Sequence, residues 1–255
     1  MLNQALNSRS KKDQDLFDSI SKQYFKKDLN KALRIARKHR LIQTLGKNNK
    51  KLRVLELGCG AGFGAEYLQG YYSHYTGVDY STQFINLAKQ RSQDPQVTWI
   101  CSDFLELDTD NQYDLIFMIG VLHHMEDINA ALRKCFKLLA PGGILIVNEP
   151  QPNNFLIHNM RKLRKKLDSH YSSDQEELES QFITDKFKEV GLCEITTSPQ
   201  GIFSTPFAEI SFKPESFFAA LVQQFCNWDK YLEKHYPKIL SNWTWNCIVS
   251  GQKAN

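Results

Sequence analysis

The sequence predicts an α/β fold built on a mostly parallel β-sheet. Strand-like apolar segments alternate with helical patterns from Leu52 to Val147, which is typical of parallel strands joined by right-handed crossovers. The composition agrees, because 42% of the residues are hydrophobic and 12% are aromatic, enough for a packed core. A chain of 255 residues can bury one substantial core and carry added segments.

The first predicted strand runs into a glycine-rich turn. Residues 54–57 are apolar except for Glu56, and glycines then alternate with other residues from Gly58 to Gly64. Glycine permits positive φ and lets backbone approach a ligand closely, so a strand, this turn and a helix over 65–68 predict a nucleotide-type pocket. The dinucleotide spacing G-x-G-x-x-G does not fit, since Phe63 stands at the third glycine. When the count starts at Gly60, Ala65 stands at the position of the third glycine, so only the variant of this pattern that ends in alanine is matched.

The next segments repeat the alternation of strands and helices. Residues 75–79 form a predicted strand ending in Asp79, which can accept two hydrogen bonds from ribose hydroxyls. The alternative for Asp79 is a helix N-cap, a role that Ser81 could fill instead. Further strands are predicted over 97–101, 113–120 and 144–147, the last preceded by a Pro-Gly-Gly turn at 141–143. A sixth strand is predicted over 192–197 and the last over 242–251.

Together these features, over residues 52–149, resemble the class I S-adenosylmethionine-dependent methyltransferases, whose first motif reads E-x-G-x-G-x-G. The resemblance implies a seven-stranded Rossmann-like sheet, mostly parallel with the last strand antiparallel, and S-adenosyl-L-methionine as cofactor. In that family an acid after the third strand hydrogen-bonds the adenine amino group and the next residue packs on the ring, roles that fall to Asp103 and Phe104. The expected cofactor-binding residues are Glu56, Gly58, Cys59, Gly60, Gly62, Asp79, Tyr80, Ser102, Asp103, Phe104, Ile119 and Tyr24.

The candidate catalytic residues are His124, His123 and Glu149. The histidines follow the fourth strand, where the family exposes the methyl group, and histidine has suitable basicity for a general base. The alternative for both histidines is a structural role. Glu149 ends the fifth strand, where it could grip or deprotonate an acceptor. No compact ligand cluster stands out, so we expect no metal site.

The segments outside the alternating region are predicted to be helical additions. Residues 1–50 form an N-terminal helical lid, in which Tyr24 could reach the methionine end of the cofactor and Lys31 or Arg34 its carboxylate. The remainder, 51–255, is the methyltransferase domain with helical insertions at about 151–190 and 200–240. The second insertion is rich in aromatic residues, with a helix starting at Pro214. Its aromatic side chains either cap the substrate or pack in a core.

The net charge of +4 hides an asymmetry, because residues 1–53 carry 15 Lys and Arg against four Asp, a net +11, whereas the rest carries −7. Basic amphipathic helices are expected here and over 155–167. Such helices present either a solvated face, or a contact with an anionic substrate, an anionic membrane surface or nucleic acid. We expect a small-molecule acceptor and no nucleic acid, with peripheral contact to an anionic membrane as an alternative. The oligomeric state is left open.

The six cysteines are scattered without a C-x-x-C pair, and residues 1–12 contain no apolar signal region. These features favour reduced thiols and a cytoplasmic location. We therefore expect an enzyme that methylates a small hydrophobic or aromatic metabolite, most plausibly at oxygen. The alternatives are an RNA or protein methyltransferase and a cofactor-binding, non-catalytic partner subunit. No Asn/Asp-Pro-Pro-Tyr/Phe sequence follows the fourth strand, which argues against the nucleic-acid amino-methylating type.

Overall fold

The computed structural model describes residues 2–45, 51–152, 178–208 and 214–255, with side chains from residue 14 onward. It contains a seven-stranded sheet in the order β3-β2-β1-β4-β5-β7-β6. Strands β1 to β5 run parallel, and β7 is antiparallel to both of its neighbours, as predicted. The strands are β1 (Leu52–Leu57), β2 (Tyr72–Asp79), β3 (Val97–Cys101), β4 (Tyr113–Ile119), β5 (Leu139–Pro150), β6 (Cys193–Gln200) and β7 (Asn246–Gln252).

Helices flank the sheet, and two of them precede it. The described helices are α1 (Leu2–Asp28), α2 (Lys31–Leu45), α3 (Phe63–Tyr67), α4 (Thr82–Arg91), α5 (Ile128–Leu138), α6 (Ser180–Glu189), α7 (Ser204–Ala208), α8 (Glu215–His235) and α9 (Pro237–Leu240). Short 3₁₀ turns cover Phe104–Glu106 and Leu122–His124. None of the helices in these ranges is long and apolar enough to cross a membrane. The helix predicted over 155–167 lies outside the described residues.

Both faces of the sheet are buried, as parallel strands with helices on each side require. Along β4, Ile116 and Met118 face one core, which includes Leu132 of α5. Leu115 and Phe117 face the other, which includes Phe84 of α4. This arrangement explains why the strands read as continuous apolar runs rather than as alternating patterns.

The predicted Pro-Gly-Gly turn lies inside β5 rather than before it. Leu139 pairs with Tyr113 and Ile144 pairs with Leu115, so three extra residues of β5 protrude from the ladder. Gly142 has a φ of +72°, and a Cβ on Gly143 would lie 2.8 Å from the carbonyl oxygen of Ala140. Only glycines fit this irregularity, because side chains would strain or clash with the backbone.

The N-terminal helices and the late helices pack together. Ala32, Leu33 and Ala36 of α2 form a small core with Val222 and Cys226 of α8. Segments almost 190 residues apart in sequence therefore build one layer. This layer forms a wall of the cavity described next.

Candidate active site

A cavity of about 730 Å³ lies at the carboxyl ends of β1, β2 and β4. The ends of parallel strands are the usual ligand-binding edge of such sheets. Helices α1, α2 and α7 and the approach to β7 complete the walls. The lining side chains and backbone come from Phe17, Tyr24, Asp28, Arg37, Arg40, Leu41, Glu56, Gly58, Cys59, Gly60, Ala61, Phe63, Gly64, Tyr67, Asp79, Tyr80, Phe84, Ile119, Gly120, Val121, His124, Pro150, Thr205, Pro206, Trp245 and Asn246.

The glycine turn presents bare backbone to this cavity. Gly58 and Gly60 have φ angles of +67° and +51°, a region that favours glycine. A Cβ on Gly58 would also clash with the side chain of Val121. Gly62, the third predicted glycine, instead caps α3 and packs near Trp99, and it does not line the cavity.

Asp79 lies at the cavity wall, next to the glycine turn. One carboxylate oxygen accepts a hydrogen bond from the Gly60 amide at 2.9 Å, and the other accepts one from the Ser81 amide at 2.9 Å. Burial raises the pKa of Asp79, while these two amides oppose the shift. The N-cap of α4 is Ser81, whose Oγ accepts from the Phe84 amide. Each carboxylate oxygen retains a second lone pair for a ligand hydroxyl.

Glu56 is buried behind the glycine turn and also borders the cavity. The Tyr75 hydroxyl donates a hydrogen bond to its carboxylate. Burial raises the pKa of Glu56 to about 8, against the opposing effect of that bond. A Cβ on Gly64 would lie 2.5 Å from the Glu56 Oε2 atom, so only glycine fits where α3 crosses this pair.

Three of the expected cofactor-binding residues, Ser102, Asp103 and Phe104, do not line the cavity. Asp103 caps a 3₁₀ turn by accepting from the Leu105 amide at 2.7 Å, and Ser102 donates to the Asp103 carbonyl. Phe104 is buried in the main core, with the Lys134 ammonium 5.3 Å from its ring centroid. The Phe104 ring is packed inside the protein, and its contact with the adenine stays a prediction.

The two histidines occupy different environments. His124 lines the cavity and contacts Phe17 edge to face, with ring centroids 5.4 Å apart. His123 instead lies 2.5 Å from Glu149, measured from Nδ1 to Oε2. The other Glu149 oxygen accepts from the amides of Val121 and Leu122. Glu149 is fully buried and neither it nor His123 lines the cavity, so both hold the turn that carries His124.

The N-terminal helices contribute both predicted and unpredicted residues. Tyr24 lines the cavity as expected. Lys31 and Arg34 do not, since Arg34 pairs with Glu66 on the outer side of α3. The cations at the cavity are Arg37 and Arg40, one and two turns of α2 beyond Leu33, which packs in the α2–α8 core. Arg37 pairs with Asp28 at 2.5 Å, and Arg40 donates to the Thr205 hydroxyl at 3.2 Å.

The remaining wall comes from a region where no site residue was predicted. Thr205 and Pro206 of α7 and Trp245 and Asn246 near β7 line the cavity. The side chains of Asn246, Asn148 and Gln200 are joined by hydrogen bonds of 2.6 and 2.7 Å. The aromatic rings of α8 do not line the cavity, which favours the core-packing alternative for Phe225, packed against Phe207 with centroids 4.7 Å apart.

Two further points concern the reactivity of Cys59 and the possibility of a metal site. Cys59 lines the cavity, and burial raises the pKa of its thiol well above the ordinary value. A thiol held in its protonated form is a poor nucleophile. Within the described part of the chain, no group of three or more His, Cys, Asp and Glu residues is placed to hold a metal ion.

Comparison with known proteins matches the central part of the chain to a family. Residues 55–147 match the family described as a methyltransferase domain. The malonyl-[acyl-carrier protein] O-methyltransferase of Priestia megaterium is 34% identical over 112 residues, 42% of this chain and 41% of that protein. The ubiquinone biosynthesis O-methyltransferase of a Bradyrhizobium species is 31% identical over 38% of this chain and 39% of its own length. The match therefore spans about two fifths of these curated relatives.

Solved structures extend the similarity of fold to almost the whole chain. A methyltransferase of Thermotoga maritima, described as a possible histamine N-methyltransferase, superposes with a TM-score of 0.66 at 17% identity and covers 94% of this chain and 98% of its own. Magnesium protoporphyrin IX methyltransferase of Synechocystis superposes with a TM-score of 0.63 at 14% identity, covering 96% and 100%. Residues 55–147 therefore match a methyltransferase domain, and the strand order and these superpositions show that the chain has the Rossmann-like fold of S-adenosylmethionine-dependent methyltransferases.

Proposed function

We propose that this protein transfers a methyl group from S-adenosyl-L-methionine to the oxygen of a small, largely hydrophobic or aromatic acceptor that carries an anionic group. The observation that carries the proposal is the open cavity beside Gly58, Gly60 and Asp79. Here bare backbone and a carboxylate meet at the carboxyl ends of adjacent strands, as nucleoside ligands require.

The charges around the cavity suit this cofactor. The carboxylate of Asp79 has lone pairs available for two ribose hydroxyls. The wall also holds the ion pair of Asp28 and Arg37. A ligand that combines a cationic sulfonium and ammonium with a carboxylate matches a wall that carries both signs of charge.

The chemistry needs little covalent assistance from the protein. When bound, the cofactor supplies an electrophilic methyl group on its sulfonium. The cavity walls must hold the acceptor oxygen in line with that methyl group and exclude water, and such positioning can supply roughly 7–11 kcal/mol of the barrier in well-oriented pairs. A base is needed only if the acceptor starts protonated, and His124 is the titratable ring at the wall.

The acceptor class follows from the remaining wall. Phe17, Tyr24 and Trp245 supply aromatic surface, and Arg40 supplies a guanidinium held by Thr205. A planar guanidinium recognises carboxylate and phosphate groups by paired hydrogen bonds. The two curated relatives named above are both O-methyltransferases by name, which supports oxygen as the atom methylated.

The test is a transfer assay with methyl-labelled S-adenosyl-L-methionine. We would incubate the protein with an extract of its source cells and identify the labelled product by mass spectrometry. The acceptor that this product identifies would then be compared, as a substrate, with the analogue in which its anionic group is replaced by an amide. We expect label on an oxygen, with the amide and the Arg40→Gln variant each about tenfold poorer in kcat/KM. Label on RNA or protein, or on nitrogen, would contradict the proposal.

A second assay separates the two histidines. His124→Ala should lower kcat by about 10²–10⁴-fold if the ring removes the acceptor proton, with the affinity for S-adenosylhomocysteine unchanged. His123→Ala should chiefly lower thermal stability, since its ring pairs with buried Glu149. If His124→Ala keeps full activity across the pH range, His124 is not the base.

A further inference from the structure

Helix α8 and its neighbours expose a row of large aromatic side chains. Phe217, Trp228 and Tyr231 are 62%, 51% and 58% exposed. These residues and partly buried Leu221 fall on one stripe of α8, because their spacings of four, seven and three residues return to the same face of a helix. We call this stripe, together with Phe203 and Phe207 beside it, the aromatic face.

The aromatic face is held by packing and is not a set of loose side chains. Trp228 contacts Phe203 and Phe225, with ring centroids 6.2 and 5.5 Å apart. A different arc of α8, which includes Val222, Cys226 and Asp229, is buried toward α2 and α7. Because this buried arc fixes the orientation of α8, the aromatic face points away from the protein.

The exposed charges next to the aromatic face are mostly positive. From α8 to Trp243, Lys230, Lys234 and Lys238 are exposed, whereas Asp229 and Glu233 are buried. Glu215, the first residue of α8, is the exposed carboxylate of this described stretch, and it accepts a hydrogen bond from the Lys31 amide. Lys234 follows Tyr231 by three residues and so neighbours it on the helix surface. Beyond α8, further apolar side chains stand exposed at Ile239 and Trp243, 69% and 64% respectively.

We propose that the aromatic face and these lysines dock the protein on an anionic lipid bilayer. An exposed helix with aromatic residues on one side and lysines at its border is typical of helices that lie in the membrane interface. Trp and Tyr favour this boundary, and lysines add attraction to anionic headgroups. A protein partner fits less well, since lysine is depleted from protein–protein interfaces.

The docking surface adjoins the cavity wall. Phe207 of the aromatic face follows Thr205 and Pro206, both of which line the cavity. A bilayer against this face would lie beside a site for an acceptor with an apolar body. This second step rests on the proposed function, whereas docking itself does not.

The experiment is co-sedimentation of the full chain with phosphatidylcholine vesicles that contain or lack phosphatidylglycerol. We expect binding to the anionic vesicles, a blue shift of tryptophan fluorescence, and weakening by salt. The double variant Phe217→Gln/Tyr231→Gln should bind at least about tenfold more weakly, because two exposed aromatic rings no longer enter the interface. Lys234→Gln should weaken binding roughly fivefold on anionic vesicles and have no effect on neutral ones.

The matched control is Phe182→Gln, which removes an exposed aromatic ring, 41% accessible, from α6; its vesicle binding should equal that of the parent protein. Vesicle binding that the α8 variants leave unchanged would overturn the proposal. A protein that binds neither the anionic nor the neutral vesicles would also overturn it. Self-association abolished by Phe217→Gln/Tyr231→Gln would instead assign the face to a second copy. Binding of S-adenosylhomocysteine, measured without vesicles on the same samples, separates failure of docking from failure of the proposed function.

Discussion

Glu56 links the chemistry of the glycine turn to stability. Burial raises its pKa from 4.5 to about 8 in the folded chain. Between these two values the folded state binds more protons than the unfolded state, so the free energy of unfolding falls as pH rises. The slope is about 1.4 kcal/mol per pH unit inside the window and vanishes above it.

We predict that Glu56→Gln flattens this pH dependence. Urea unfolding of the ligand-free protein at about pH 5.5 and pH 7.5, both inside the window, measures the slope. Burial also raises the pKa of Glu233 to about 7, so adding Glu233→Gln should flatten the profile further. Equal slopes in the parent protein and in Glu56→Gln would contradict the assignment.

Single residues also show which positions at the cavity could be predicted from the sequence. Gly58, Gly60 and Asp79 could be predicted because turn geometry and hydroxyl recognition restrict the residue type locally. Phe104 and Glu149 could not be placed by such arguments. Whether a side chain at a strand end faces a cavity or the core depends on neighbours that are distant in sequence. The Phe104 ring is contacted by the Lys134 ammonium, and the Glu149 carboxylate accepts a hydrogen bond from the Val121 amide.

At the scale of elements, α8 holds α7 through one buried carboxylate. The Asp229 side chain is buried, with 1% of the residue exposed. It accepts hydrogen bonds from the Phe203 amide at 3.0 Å, the Ser204 amide at 2.9 Å and the Ser204 hydroxyl at 2.6 Å. These bonds satisfy amides at the start of α7, which otherwise lack partners. Helix α7 in turn carries Thr205 and Pro206 to the cavity.

We predict that Asp229→Asn lowers the free energy of unfolding by about 2–4 kcal/mol, because an amide cannot accept all three bonds and leaves a buried donor unpaired. It should raise the KM for the acceptor while the affinity for S-adenosylhomocysteine stays the same. Lys230→Gln, on the exposed neighbour, is the control for denaturant unfolding and kinetics. Equal effects of Asp229→Asn on cofactor and acceptor would show that α7 does not act on the acceptor side alone.

The cations on α2 illustrate what helix periodicity can and cannot provide. Leu33, Ala36 and Leu41 are buried, and Arg37 and Arg40 lie close to that face in helical phase. This phase was available from the sequence and would have favoured Arg37 and Arg40 over Lys31 and Arg34. That α2 packs on α8 was not available, because an apolar stripe indicates burial and does not identify the partner.

At the scale of the whole molecule, the sheet was predictable and the walls added by α2, α7 and β7 were not. Each strand and crossover of the sheet is a local pattern with a fixed handedness. Trp245 directly precedes β7, which inserts between β5 and β6, and this position brings Trp245 to the cavity. Long-range pairing of this kind leaves no periodic signal at the residues it brings to the site.

The central claim is that the cavity binds a sulfonium nucleoside through Asp79 and the glycine turn. Titration calorimetry with S-adenosylhomocysteine and with NAD⁺ tests it directly, using Asp110→Ala in an exposed loop as the control. We predict that S-adenosylhomocysteine binds the parent and the control equally, that Asp79→Ala weakens it by at least about tenfold, and that NAD⁺ does not bind. Unchanged affinity in Asp79→Ala, or a preference for NAD⁺, would contradict the account.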